Sequence, residues 1–214
     1  MAGLIVASAI ITSSLVVGDS LDATVRMEVE GAWGKTDITV SGFDLSRGER
    51  VTVSETLAHD VWDGIQTNIL LNRSIDGQQQ GIVASVSVSS SDASRTGVTW
   101  MAMNSSIDSI GHWPNIGTPS SGVRYTTLRD ANSFSETYQV GINEVLADEL
   151  SLSVGDAFDM GWYVTDDGQR TRIDAQVFVH AIVANEGQGA SAGTQAPALF
   201  TDLQTAQSMQ HLEG

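Results

Sequence analysis

The sequence predicts an α+β fold of two lobes, with helices on a mixed sheet and the second lobe, a helix-plus-hairpin subdomain, inserted into the first. Three observations predict it. Gly141 to Val183 reads as a short helix followed by two strands. Residues 67 to 103 alternate between apolar runs and polar turns, as three strands of a mixed or antiparallel sheet do. The chain then returns along 173–184 to a short strand and a final helix. The expected division is 1–17 as the outer part of a membrane helix, 18–103 as a membrane-proximal lobe, 104–172 as the inserted lobe, and 173–214 as the return to the first lobe.

Residues 3–17, GLIVASAIITSSLVV, form an uncharged apolar run, short of the roughly 20 residues with which a helix spans a bilayer. Three readings compete: the outer end of a first transmembrane helix, a secretory signal peptide, and a buried helix or strand of a soluble protein. No Lys or Arg precedes the run, which weighs against the signal peptide. After Gly18 and Asp19, residues Leu21, Val25, Val29 and Trp33 recur at four-residue steps, an amphipathic helix that would continue a membrane helix outward. Thr36–Phe43 reads as a strand with Ile38 and Val40 on one face, and Ser41–Glu49 as a polar turn. Ser54 reads as the N-cap of a helix carrying Leu57, Val61 and Ile65.

Strands are expected at Ile69–Leu71, Ile82–Val88 and Val98–Met103, separated by loops rich in Ser, Asp and Gly. Residues 104–139 hold two of the three prolines and no sustained period, and read as an irregular connection. Asn143 then caps a helix in which Val145, Leu146, Glu149 and Leu150 follow helical spacing. Phe158, Met160, Trp162 and Val164 alternate as a half-buried strand, Asp167-Gly168 marks a hairpin turn, and Ile173–Val183 continues the period of two. A Gly-rich loop at 186–195, a strand around Leu199 and a helix from Thr201 or Asp202 complete the outline.

The stretches INEVLADELSLSVGDAF (142–158), AQVFVHAIVANEG (175–187) and APALFTDLQTAQSM (196–209) resemble the extracytoplasmic core domain of the MacB, LolC/E and FtsX-like ABC transporter permeases. GDSLDATVRMEVEGAWGKTDITV (18–40) looks like that family's entry from the membrane, and GVTWMAMN (97–104) like its middle strand. The resemblance selects the transmembrane reading of residues 3–17. It implies a MacB-like periplasmic core domain with no catalytic role, cofactor or metal. It further implies a cytoplasmic ABC ATPase as partner of the full-length protein, a homodimer or paired permease, and an extracellular partner or cargo. In that reading Gly18 to Trp33 is the lever that carries ATP-driven motion outward. A different class of reading is a secreted or surface-anchored binding module with no transporter role.

Composition narrows the choices. The 214 residues carry a net charge of −16, and Lys35 is the only lysine. Such an excess of carboxylate repels phosphate backbones and excludes nucleic acid as a partner. The same surface fits a protein kept soluble in high salt, as in a halophilic or marine microbe, or a merely acidic one. With no cysteines, disulfides and Cys-based zinc or redox sites are excluded.

Several motifs read as bland once their context is weighed. Gly189-Ala-Ser-Ala-Gly193 matches the G-x-S-x-G nucleophile elbow, but neither a strand directly before nor a helix directly after Ser191 is expected. Gly34-Lys35-Thr36 lacks the glycine that a phosphate-binding loop needs at Val29. His59, His112, His180 and His211 show no pair at the i, i+4 spacing of a helical metal site. Asn72-Arg-Ser and Asn104-Ser-Ser fit the glycosylation pattern, which in a Ser-rich chain also arises by chance. Trp113, beside Pro114 in the irregular segment, is the aromatic expected at a partner surface.

Overall fold

The computed structural model describes residues 24, 42–44, 49–51, 55–73, 80–104, 115–117, 122–166, 169–190, 192–193 and 195–210. The lever residues Gly18, Asp19, Leu21, Val25, Val29 and Trp33, the apolar run 3–17, Trp113 and Ser191 lie outside them. Strands β1 (Gly42–Asp44) and β2 (Glu49–Val51) pair antiparallel as a small separate sheet. Part of the span expected as a polar turn is therefore strand. Helix α1 (Glu55–Thr67) follows, where the Leu57, Val61, Ile65 spacing places it.

Ile69–Leu71 is helical, not extended. Asn68 accepts the Leu70 N–H through its side chain at 3.1 Å, and its carbonyl accepts the Asn72 N–H at 2.9 Å. This local capping turns the apolar triplet into a single helical turn, α2 (Ile69–Asn72). Three consecutive apolar residues have no period that distinguishes the two states.

Six strands form the body of the molecule. In the order β3 (Gly81–Ser89), β4 (Ser94–Met103), β8 (Ala198–Asp202), β5 (Tyr138–Asn143), β7 (Gln169–Val183) and β6 (Ala157–Asp166), they close into a barrel. Parallel pairs (β4 with β8, β5 with β7) and antiparallel ones make the sheet mixed, and with the helices the fold is α+β. The helix-plus-hairpin unit is not an inserted subdomain. β5 lies between β8 and β7, and β6 lies between β7 and β3, so both are walls of the same barrel as β3 and β4. Residue Asp166 faces Gln169 across the β6–β7 ladder, where the Asp-Gly pair was expected to turn the chain.

The alternation of β4 and β8 feeds two cores. Trp100, Ala102 and Leu199 join Val140, Ile142, Met160, Trp162 and Val177 in the larger one. Met101, Met103, Ala198 and Phe200 join Ile116, Val123, Tyr125 and Leu128 in a second. The segment expected to be irregular supplies that second layer. It contains α3 (Tyr125–Ser133) and the start of β5. The N-cap residue of α3, Arg124, makes no side-chain capping bond, which explains why the start gave no signal. Asn132 holds its other end to β5, donating to the Leu128 and Gln139 carbonyls at 2.8 and 2.9 Å and accepting the Gln139 N–H at 2.7 Å.

Two short helices, α4 (Glu144–Leu150) and α5 (Leu203–Met209), follow β5 and β8 directly and bury Leu146, Leu150, Leu203 and Met209. Asp202 caps α5, its carboxylate accepting from the Thr205 N–H at 3.0 Å and hydroxyl at 2.5 Å. Residue Ser151 ends α4 in the left-handed region, at φ 54°.

Candidate functional site

The most developed polar site is a junction around Asn143. At the end of β5, the side chain is fully buried (0% exposed). As the sequence predicts, it caps α4: its Oδ1 accepts the Leu146 N–H at 3.1 Å. The same oxygen accepts the Ala198 N–H at 3.0 Å, where β8 begins. Its Nδ2 lies 3.0 Å from Asn185 Oδ1, 3.3 Å from the Gly189 carbonyl and 2.8 Å from the Ala196 carbonyl. Two amide hydrogens are therefore shared among three acceptors. A buried amide is costly unless its donors and acceptors are met, and at Asn143 they are.

The glycines of the neighbouring loop are fitted to this junction. Gly187–Ala190 forms one turn of 3₁₀ helix, and a Cβ at Gly189 would collide with the Ala184 carbonyl oxygen. Glycine lets the turn approach the end of β7 closely enough to offer its carbonyl to Asn143. This turn also answers the G-x-S-x-G pattern. The described residues before position 191 are 3₁₀ rather than strand, and the next helix begins at Leu203, so a strand-turn-helix elbow is not built there.

A second polar feature lies where β4 and β8 end. An open cleft of about 290 Å³ is lined by Gln80, Asn104, Arg129, Asp202, Leu203, Gln204 and Gln207. The Asp202 carboxylate is engaged by its cap, and the Arg129 guanidinium bonds Asp130 at 3.0 Å. What remains is mostly amide, suited to hydrogen bonding rather than to proton transfer or nucleophilic attack.

Of the residues singled out in the sequence, Asn72 ends α2, exposed, with its Nδ2 donating to the Gln66 carbonyl at 3.1 Å. Asn104 follows β4 and lines the cleft, its N–H donating to the Gln80 carbonyl at 3.1 Å. The two are on different elements and do not form one site. His59 is on α1 and His180 on β7; His112 and His211 lie outside the described residues. Among the described residues, no group of three His, Cys, Asp or Glu side chains is placed to hold a metal. Nor is any helix among them long and apolar enough to cross a membrane. Tyr125 is buried with no hydrogen-bond partner for its hydroxyl among the described residues, and burial pushes that group well above the ordinary tyrosine range. Its ring packs in the second core with Ile116, Val123, Leu128 and Phe200.

The sequence announced Asn143 only as a helix cap. Its partners Asn185, Gly189 and Ala196 stand far along the chain, and no local pattern points to them.

Neither a family model nor a curated protein sequence matches the chain. Among solved structures, it is similar to the periplasmic region of MacB from Actinobacillus actinomycetemcomitans, at 8% identity and a TM-score of 0.42, over 78% of this chain. The similarity covers 64% of that structure, so the chain spans less than two thirds of its length.

Proposed function

We propose that the chain is the extracytoplasmic domain of an ABC-type permease subunit, which passes ATP-driven motion to an extracellular partner or exported cargo. The observation that carries this reading is the Asn143 junction. The three stretches that resemble the permease family, 142–158, 175–187 and 196–209, meet at that one side chain through Asn143, Asn185 and the Ala196–Ala198 backbone. They are thus parts of one folded unit. In this reading Gly18 to Trp33 is the lever from the membrane, and the barrel is the body it moves. A cytoplasmic ATPase, a second permease subunit and a membrane location for the full-length protein follow from the same proposal.

The test is affinity purification of the native full-length protein from detergent-solubilised membranes, with mass spectrometry of what accompanies it. An ABC ATPase recovered in stoichiometric amount is the expected result. A protein found soluble, processed near Ala9 and without an ATPase would overturn it in favour of a secreted binding module.

A further inference from the structure

Strands β4 and β8 run parallel and end side by side, Met103 opposite Asp202. From there the chain leaves toward opposite faces of the sheet. After β8 it turns directly into α5, whose Leu203, Ala206 and Met209 join Trp100 and Ala102 in the larger core. The segment after β4 leads to α3, whose Tyr125 and Leu128 join Met101 and Met103 in the second core. Connections that diverge in this way leave a crevice between them, and open sheets and barrels alike take their ligands at the carboxyl ends of parallel strands. The cleft of about 290 Å³ occupies this position. It has Arg129 on its α3 side, Gln204 and Gln207 on its α5 side, and Asn104 and Asp202 at the strand ends.

The fold fixes the backbone that carries these groups. The Asn104 N–H donates to the Gln80 carbonyl at 3.1 Å, which sets the two residues side by side where β3 begins. Gln204 and Gln207, three positions apart, share one face of α5, and that helix is held by its buried residues and by the Asp202 cap. Only side-chain rotamers are left to be ordered when a ligand enters.

The lining selects the ligand. Gln80, Asn104, Gln204 and Gln207 are primary amides, each with two donors and an accepting oxygen. One such amide can bond two adjacent hydroxyls at once, donating to one oxygen and accepting from the other O–H. Arg129 and Asp202 carry opposite charges, and each is paired within the protein: Arg129 with Asp130 at 3.0 Å, Asp202 with the Thr205 N–H at 3.0 Å. The lining therefore has no net charge, while the charge of −16 on the whole chain repels anions. Leu203 is the one apolar residue of the lining, enough for an edge of a ring but not for an apolar ligand. The volume of about 290 Å³ lies at the lower bound of the roughly 300–1,000 Å³ usual for small-molecule sites. We propose that the cleft binds a neutral sugar, one ring at a time, through its vicinal hydroxyls. The inference goes beyond the permease reading and does not depend on it.

Heteronuclear NMR titration of the isotope-labelled full chain tests it, with methyl α-D-glucopyranoside, methyl α-D-mannopyranoside and methyl β-D-galactopyranoside as probes. At least one should shift the side-chain amide signals of Gln80, Asn104, Gln204 and Gln207 saturably. A Kd on the order of 1–10 mM is expected, the range open to a ligand of about a dozen heavy atoms. Cyclohexanol, a ring with a single hydroxyl, should leave these signals in place at the same concentrations. Gln204→Ala together with Gln207→Ala, at an exposed and a half-buried position outside the cap, should weaken binding by at least about ten-fold. Gln204→Ala alone, the milder change, should weaken it about three-fold. Unchanged main-chain signals of α5 and β8 show that a variant is folded. Absent or unsaturable shifts with all three sugars would overturn the inference, as would equal shifts with cyclohexanol or unchanged affinity in the folded variants. Tighter binding of N-acetyl-diglycine amide than of any sugar would overturn it in favour of peptide recognition.

Discussion

Helices α4 and α1 were both legible from apolar spacing, and the structure treats them in opposite ways. In α4, Leu146 is fully buried, Leu150 nearly so, and Asn143 ties the helix start to three other segments. In α1, Leu57 is 52% exposed, Val61 is also exposed, and the following turn leaves Ile69 and Leu70 in solvent. Periodicity states which face of a helix is apolar. It does not state what covers that face, and among the described residues only the face of α4 is covered.

The sharpest way to break the comparison is at the better-supported helix. Asn143→Ala removes the cap and strands the Leu146 and Ala198 N–H groups together with the Gly189 and Ala196 carbonyls. A loss of about 3–5 kcal/mol is expected, since each unpaired buried group costs about 1–3 kcal/mol and the network acts as a unit. Urea unfolding of the purified domain measures it. A loss under about 1 kcal/mol would mean that the junction reorganises without Asn143 and that the three segments do not depend on it.

Next comes Leu146→Ala. The side chain is 0% exposed and packed in the larger core, so truncation should cost about 3 kcal/mol through lost burial and the cavity left behind. Thermal or urea melts again give the answer, and a small cost would place α4 with α1 as a loosely held helix.

How much of this was readable depended on where the partners lie. Asn143 was found because a cap bonds three residues ahead, as the Leu146 N–H shows. Its bonds to Asn185 and Ala196 cross more than forty residues and depend on closure of the barrel. Helix α3 was missed because Arg124 offers no capping signal and because only Tyr125 and Leu128 on it are buried. β5 was missed because Val140 and Ile142 are too few to show a period, although burial between β8 and β7 makes the strand secure. The lever remains a proposal from the resemblance, and Trp113 one from its place beside Pro114 in the segment expected to be irregular.

A smaller effect is expected at Tyr125, in the second core. Its hydroxyl is buried without a partner among the described residues, so Tyr125→Phe should stabilise the domain by about 1 kcal/mol at neutral pH. The pH dependence has a definite sign. Burial raises the folded-state pKa above the unfolded value of about 10, so above that pH the unfolded chain loses a proton that the folded chain keeps. Stability from this group is complete below about pH 10 and falls as pH rises further, by about 1.4 kcal/mol per unit. The Phe variant should lack that fall. Identical alkaline melts for the two proteins would show that the phenol ionises without unfolding.

Leu57→Ala should give the smallest change, within about 0.5 kcal/mol, because the side chain already meets water and alanine favours the helix. The result decides what α1 is for. If the cost is that small, the face of Leu57 and Val61 is held by helix propensity alone, and its apolar character is not required for folding. A cost near that of Leu146→Ala would instead mean that, in the whole chain, another apolar surface closes over it. Repeating the measurement in detergent separates the two sources of such a cover. A cost that disappears on adding micelles points to an intramolecular or subunit contact that detergent displaces, and one that persists points to packing as firm as that of α4.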